Sequence, residues 1–191
     1  NGSGRGWNTA TYAAQSTGSG TRGVQFSAST VGFENITVSF DHRASGTASR
    51  WAQLDYTIDG TTWTTGFWNN NGGLSPQDTF YSFNVDLSSV TAANNNANFG
   101  VRIVSIFSPQ AFDQNNALSE FAANTAYMRA STGAVFSPNT SSATGDYGTA
   151  GTWRFDNVTI SAVPEPSSIA LLSLVGISGF ALRRLRKGRA G

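Results

Sequence analysis

Asp41 and His42 are adjacent, and the many serines of the chain raise the question of a Ser-His-Asp nucleophile. Neighbouring residues on a strand point to opposite faces, so Asp41 cannot orient His42 as that chemistry requires. No Gly-x-Ser-x-Gly elbow accompanies them. His42 is the sole histidine; it falls at a predicted strand end and reads as a structural or surface residue. Cysteine is absent, which excludes disulfides, thiolate metal sites and a cysteine nucleophile, and one histidine excludes a histidine-based metal cluster within one chain. Glycoside hydrolysis needs two carboxyl groups about 5–9 Å apart across a cleft. Asp55 and Asp59 are close in sequence, but one belongs to a strand face and the other to a turn, while Asp41, Asp86 and Asp156 are scattered. The expectation is a protein without a catalytic site.

Two non-catalytic groupings remain. Asp41, Asp156 and Asn157 offer oxygen ligands of the kind a structural Ca²⁺ takes, although no Asp-x-Asp-x-Asp-Gly loop is present. The alternative for these residues is to cap turns and face solvent. Trp51, Trp63 and Trp68, with Phe67 beside them, could form a sugar platform, because an exposed indole stacks on the apolar face of a pyranose. Trp51 is the most telling of the three, since it lies on the strand face opposite Leu54 and Ile58, yet tryptophan is as readily a core residue. Asn-x-Ser/Thr sequons occur at Asn35, Asn139 and Asn157, of which Asn139 alone reads as a loop position.

The elements that must position these residues alternate with period two. Ile36, Val38, Phe40 and His42 share one face of a strand, and Ala52, Leu54, Tyr56 and Ile58 share one face of another. Tyr81, Phe83, Val85 and Leu87 form a third set, and Trp153, Phe155, Asn157 and Thr159 a fourth. The run from Phe99 to Phe107 is apolar on both faces, as a central strand would be. Asp59-Gly60 reads as a short hairpin connection, while clusters of Asn, Gly and Pro mark the loops. Residues 113–129 read as a loop. This pattern predicts an all-β fold: a jelly-roll-like antiparallel β-sandwich over residues 23–162, preceded by a Gly/Ser/Thr-rich segment at 1–22 that looks truncated.

The Thr/Ser/Asn-rich, Lys-free body fits a solvated surface module better than a catalytic pocket. Only 12% of the 191 residues are charged, against about 25% in an average soluble domain. Residues 1–163 hold seven Arg, no Lys and ten Asp or Glu, a net of −3, whereas residues 164–191 carry a net of +4. A mildly acidic body lacks the basic face that nucleic acid requires. A chain that opens on Asn1 rather than Met reads as a fragment or a processed product, and any N-terminal signal peptide would lie upstream of it.

The tail has three ordered parts. Pro164, Glu165 and Pro166 interrupt the body; an uncharged run of 14 residues follows from Ile169 to Leu182; Arg183, Arg184, Arg186 and Lys187 close it. The pattern predicts a single hydrophobic helix over residues 168–182. At 1.5 Å per residue the uncharged run reaches about 21 Å, which flanking serines and snorkelling arginines bring close to a thin span. The basic cluster would act as a membrane stop that holds the C-terminus on the cytoplasmic side. Pro-Glu-Pro, apolar helix and Arg-rich end in this order over residues 163–187 closely resemble the PEP-CTERM sorting signal of Gram-negative and related bacteria, leaving 188–191 as a short remainder. The resemblance implies recognition by an exosortase, a membrane-embedded transpeptidase-like enzyme, with cleavage near Pro-Glu-Pro. It also implies export, an inner-membrane intermediate, and delivery to the cell surface or the extracellular polysaccharide matrix.

The body's order of Gly23-Val-Gln-Phe26, Trp51 to Trp63 around Asp59-Gly60, Phe80 to Leu87 and the closing Trp153 to Thr159 resembles jelly-roll modules of secreted bacterial surface proteins. That likeness implies a structural or adhesive role in the polysaccharide layer, with a carbohydrate-binding module and a polysaccharide-active enzyme as the competing readings. No cofactor is expected beyond the structural Ca²⁺ already considered.

Overall fold

The computed structural model describes residues 6–69, 72–112, 121–131 and 147–166. Eight strands follow one another: β1 (Trp7–Thr9), β2 (Gly23–Ser27), β3 (Phe33–Ala44), β4 (Ala52–Thr57), β5 (Thr64–Trp68), β6 (Tyr81–Asp86), β7 (Gly100–Ser105) and β8 (Trp153–Pro164). They form two four-stranded antiparallel sheets, ordered β1-β8-β3-β6 and β2-β7-β4-β5. Among the described strands, only β4 and β5, joined through the Asp59-Gly60 turn, are consecutive and paired within one sheet; the other consecutive pairs lie in opposite sheets. Gly60 takes φ +79°, and Asp59 accepts the Thr61 and Thr62 N–H groups at 2.7 and 2.6 Å, which fixes the turn.

The alternation of β3 explains the core. Ile36, Val38, Phe40, His42 and Ala44 all point inward and are buried, while Thr37, Ser39, Asp41 and Arg43 face out. They meet Leu54 and Ile103 of the second sheet, together with Phe99, Val101, Trp153 and Phe155, in one hydrophobic cluster. The apolar run at 99–107 becomes β7, central between β2 and β4, as expected. The strands pack closely here. A Cβ at Gly23 would sit 1.9 Å from the Ile103 carbonyl oxygen, so only glycine fits that approach of β2 to β7.

Two features depart from the sequence expectation. The sandwich starts before residue 23: β1 pairs with β8, and Tyr12 enters the core with its N–H bonded to the Thr149 carbonyl at 3.0 Å. The three residues of β1 are too few for a period to show in a Gly/Ser-rich context. The inward face of β8 also changes parity. Trp153 and Phe155 point in, but Asn157 adopts φ +51° at a bulge opposite β3, so Val158, Ile160 and Ala162 face the core instead of Thr159. A second bulge at Asn35, φ +57°, lies further along the same strand pair. Both asparagines of the in-strand sequons thus occupy the left-handed conformation that Asn tolerates better than most residues. The helix expected at 168–182 and Asn139 lie outside the described residues. Among the described residues, no helix is long and apolar enough to cross a membrane.

Candidate functional site

The end of β8 carries the first candidate. β8 runs without a linker into the Pro-Glu-Pro segment, and Pro164 is both its last residue and the register partner of Phe33. One residue on, the Glu165 N–H donates to the Gly32 carbonyl at 2.9 Å. Gly32 takes φ +80°, a backbone conformation that turns the chain into β3. Pro164 and Pro166 are exposed and Glu165 is half-buried. The motif therefore rests on the sandwich in an extended form, pinned at Gly32 and Phe33 yet open to solvent on its proline faces. Residues 32 and 33 were not singled out in the sequence, because nothing in their spacing links them to a segment 130 positions away. The basic cluster Arg183, Arg184, Arg186 and Lys187 lies outside the described residues.

The oxygen cluster does assemble. Asp41 and Asp156 are direct cross-strand partners on the outer face of the first sheet. Like charges so placed repel. Hydrogen bonds relieve this: Ser82 Oγ donates to Asp41 Oδ1 at 2.6 Å, Asn157 Nδ2 donates to Asp41 Oδ2 at 2.6 Å, and the Asn157 N–H donates to Asp156 Oδ1 at 2.9 Å. The Ser82 and Asn157 donors hold the Asp41 carboxyl below the usual carboxylate range. Asn157 thus presents its nitrogen, a donor, to Asp41, where a cation would require its oxygen. Among the described residues, no group of three or more His, Asp or Glu side chains is placed to hold a metal ion.

His42 lies inside β3 and not at a surface strand end. Its ring stacks on Phe155 at 4.4 Å between centroids and meets Trp153 edge-on at 4.5 Å. Among the described residues, neither ring nitrogen has a hydrogen-bond partner. Burial pushes its pKa down to about 3, so the imidazole is neutral throughout the physiological range. Asp41 is on the opposite face of the strand, as the alternation requires.

The tryptophans separate. Trp51 is 2% exposed and belongs to a second, smaller cluster with Phe112, Ala126 and Met128, which roofs the outer face of β4. It is unavailable for stacking, and the three-ring platform is not formed. The roof comes from residues some 60 to 80 positions away, which explains why the strand pattern could not reveal it. Trp68 is 40% exposed, its ring 6.0 Å from that of Trp51 and tilted by 57°. Trp63 is half-exposed, with the Arg102 guanidinium 4.7 Å from its ring centroid. Arg102 also bonds buried Asp55 through Nε and Nη2, each at 2.8 Å, and Gln53 Nε2 donates to Asp55 Oδ1 at 2.6 Å. Asp55 is thereby engaged as a structural partner, and Asp59 is engaged in its turn. Arg102, the lone charge in the 99–107 run, is the residue that sequence reasoning passed over; an isolated charge in an apolar strand signals an outward position with a partner.

The chain matches no curated protein and no solved structure. Residues 162–187 match the PEP-CTERM protein-sorting motif, which implies processing by an exosortase. The match begins two residues before Pro164, while the chain is still in β8. The protein thus carries, fused to the last strand of an all-β body, a signal for export through the membrane and sorting to the cell surface or extracellular space.

Proposed function

We propose that this protein is a non-catalytic surface module, a jelly roll with a structural or adhesive role in the extracellular polysaccharide layer, released from its membrane-held tail by an exosortase. The observation that carries this reading is the direct continuity of β8 with the pinned Pro164-Glu165-Pro166 segment. A strand that ends in the sorting motif makes the folded body the cargo. The strand orders β1-β8-β3-β6 and β2-β7-β4-β5, with a single in-sheet hairpin, support the jelly-roll assignment. The engagement of Asp55 by Arg102, and of Asp41 by Ser82 and Asn157, supports the non-catalytic one.

Intact-mass analysis of protein recovered from the host envelope and medium tests the reading. The expected species lacks the residues that follow the Pro-Glu-Pro region. A full-length species with its Arg-rich end, confined to the membrane fraction, would make residues 168–182 a permanent anchor and end the proposal of release.

A second reading, capture of a polysaccharide on the outer face of the second sheet, is favoured by the exposure of Trp68 and the half-exposed Trp63 on Arg102. Titrating host exopolysaccharide into the full chain should then change the tryptophan fluorescence, and Trp68→Ala should weaken binding about fivefold or more, as losing a stacked aromatic costs of order 1–3 kcal/mol. An unchanged spectrum in the wild-type protein would dispose of it.

A further inference from the structure

Pro-Glu-Pro offers few main-chain handles. Proline has no N–H, so Glu165 alone among its three residues carries an amide donor. That donor is committed to the body, on the Gly32 carbonyl at 2.9 Å. Just before it the strand is still in register, with Val163 opposite Glu34 and Pro164 opposite Phe33. The proline faces are open to solvent, but the amide between them is not.

The acceptor is itself held from behind. Gly32 N–H donates to Asn95 Oδ1 at 3.0 Å, and Asn95 N–H donates to the Phe33 carbonyl at 2.9 Å. Asn95 lies between β6 and β7 in the left-handed conformation, φ +47°. Beside it, buried Thr30 donates through Oγ1 to the Ala93 carbonyl at 2.6 Å. Residues 30–33, 93–96 and 163–165 thus close on one another, with the sorting motif as the outermost of the three segments.

An extended peptide is generally held by its partner through main-chain groups, in the manner of an added strand. The Glu165 N–H cannot serve Gly32 and an enzyme at once, and a segment lying along β3 cannot enter a cleft. A strand end opens more readily than a core, because few contacts have to break. We propose that Gly32, positioned by Asn95, forms a clasp that withholds the sorting motif, so that processing of the tail waits on release of Glu165 from the body. This inference rests on the reading that an exosortase processes the tail, and adds that the folded body sets the rate.

The test follows the full chain in its host by pulse-chase, with intact mass separating processed from full-length species. Hydrogen exchange on the full chain in detergent reports the Glu165 amide, which is expected to be protected in the wild type. Gly32→Ala puts a side chain at φ +80°, where L-residues are strained. Asn95→Gly tolerates φ +47° and removes the acceptor behind Gly32. Neither variant alters the motif. Each should speed both processing and Glu165 exchange about fivefold. Gly60→Ala imposes the same strain at φ +79°, in a turn where the added Cβ meets nothing within 4 Å, and should be processed at the wild-type rate. Faster processing of Gly60→Ala as well would overturn the proposal in favour of general loosening of the fold. Slower processing of the two clasp variants would overturn it in favour of a clasp that presents the motif, and equal rates would overturn it outright. Glu165 exchange that is free in the wild type, or unchanged in both variants, would overturn the assignment of Gly32 and Asn95. A wild-type chain that stays full length would instead remove the underlying reading, and the proposal with it.

Discussion

Replacing His42 by phenylalanine is expected to stabilise the protein at pH 7, and by a widening margin in acid. The imidazole is fully buried between Trp153 and Phe155, with both nitrogens unpartnered. An apolar ring of similar size keeps the packing and removes two desolvated polar atoms, a gain of about 1–3 kcal/mol. The pH dependence follows from proton linkage. The unfolded chain binds a proton at His42 below the ordinary histidine value of 6.5, whereas the folded chain refuses it until about pH 3. Stability is therefore lost as pH falls through that interval, at up to about 1.4 kcal/mol per unit, or roughly 3 kcal/mol by pH 4.5. Asp41, Asp59 and Asp86 also have lowered pKa values in the fold, but their contribution is retained down to the unfolded carboxyl value of 3.8 and falls only below it. The window from pH 6.5 to 4.5 therefore belongs to the histidine. Urea denaturation at several pH values should show the wild-type curve falling steeply there and the His42→Phe curve nearly flat. Parallel curves would show that the histidine is solvated or charged in the fold, contrary to its packing.

That buried histidine also marks the limit of what the chain discloses before it folds. Period-two alternation places His42 on the inner face of β3 together with Ile36, Val38 and Phe40, so its direction is legible in the sequence. Its depth is not, because the depth comes from Trp153 and Phe155, which β8 brings alongside from more than 110 residues away. The longer strands are legible for the same local reason, and so is the hairpin at Asp59-Gly60, whereas β1 is too short to show a period. The parity of β8 is not. A bulge is a relation between two strands, and the lone hint of it is an asparagine where a β-branched residue would be expected. Trp51 illustrates the same limit from outside the sheet: whether an outward indole is exposed depends on Phe112 and Met128, which are distant in sequence and pack against it. The sorting segment is readable because its three parts are contiguous. Its attachment to Gly32 and Phe33 is not, since that contact joins segments far apart along the chain.

Trp153→Ala should be the most damaging single substitution in the body. Trp153 is fully buried at the point where β8 pairs with both neighbours, Thr9 of β1 on one side and Ala44 of β3 on the other. Its ring packs on His42 and, 4.9 Å between centroids, on Tyr12, and its Nε1–H donates to the Ser49 carbonyl at 2.8 Å. Truncation removes the largest kind of core side chain, which costs about 3–5 kcal/mol, and strips a buried carbonyl of its donor, which adds about 1 kcal/mol. Against a typical total of about 5–15 kcal/mol, this leaves little margin. Trp153→Phe retains most of the ring volume and loses the donor, so it should fall between the two. The consequence extends to the other end of the strand. Pro164 and Glu165 are held in place by β3 and Gly32, and that hold depends on β8 lying in register along β3. A body destabilised at Trp153 should expose the Pro-Glu-Pro segment to general proteolysis as well as to its sorting enzyme, lowering the amount of folded module that reaches the surface. Urea unfolding followed by far-ultraviolet circular dichroism measures the stability directly. A loss below about 1 kcal/mol for Trp153→Ala would mean that the cluster around His42 and Tyr12 can collapse into the space, and that the start of β8 is not what holds the strand in place.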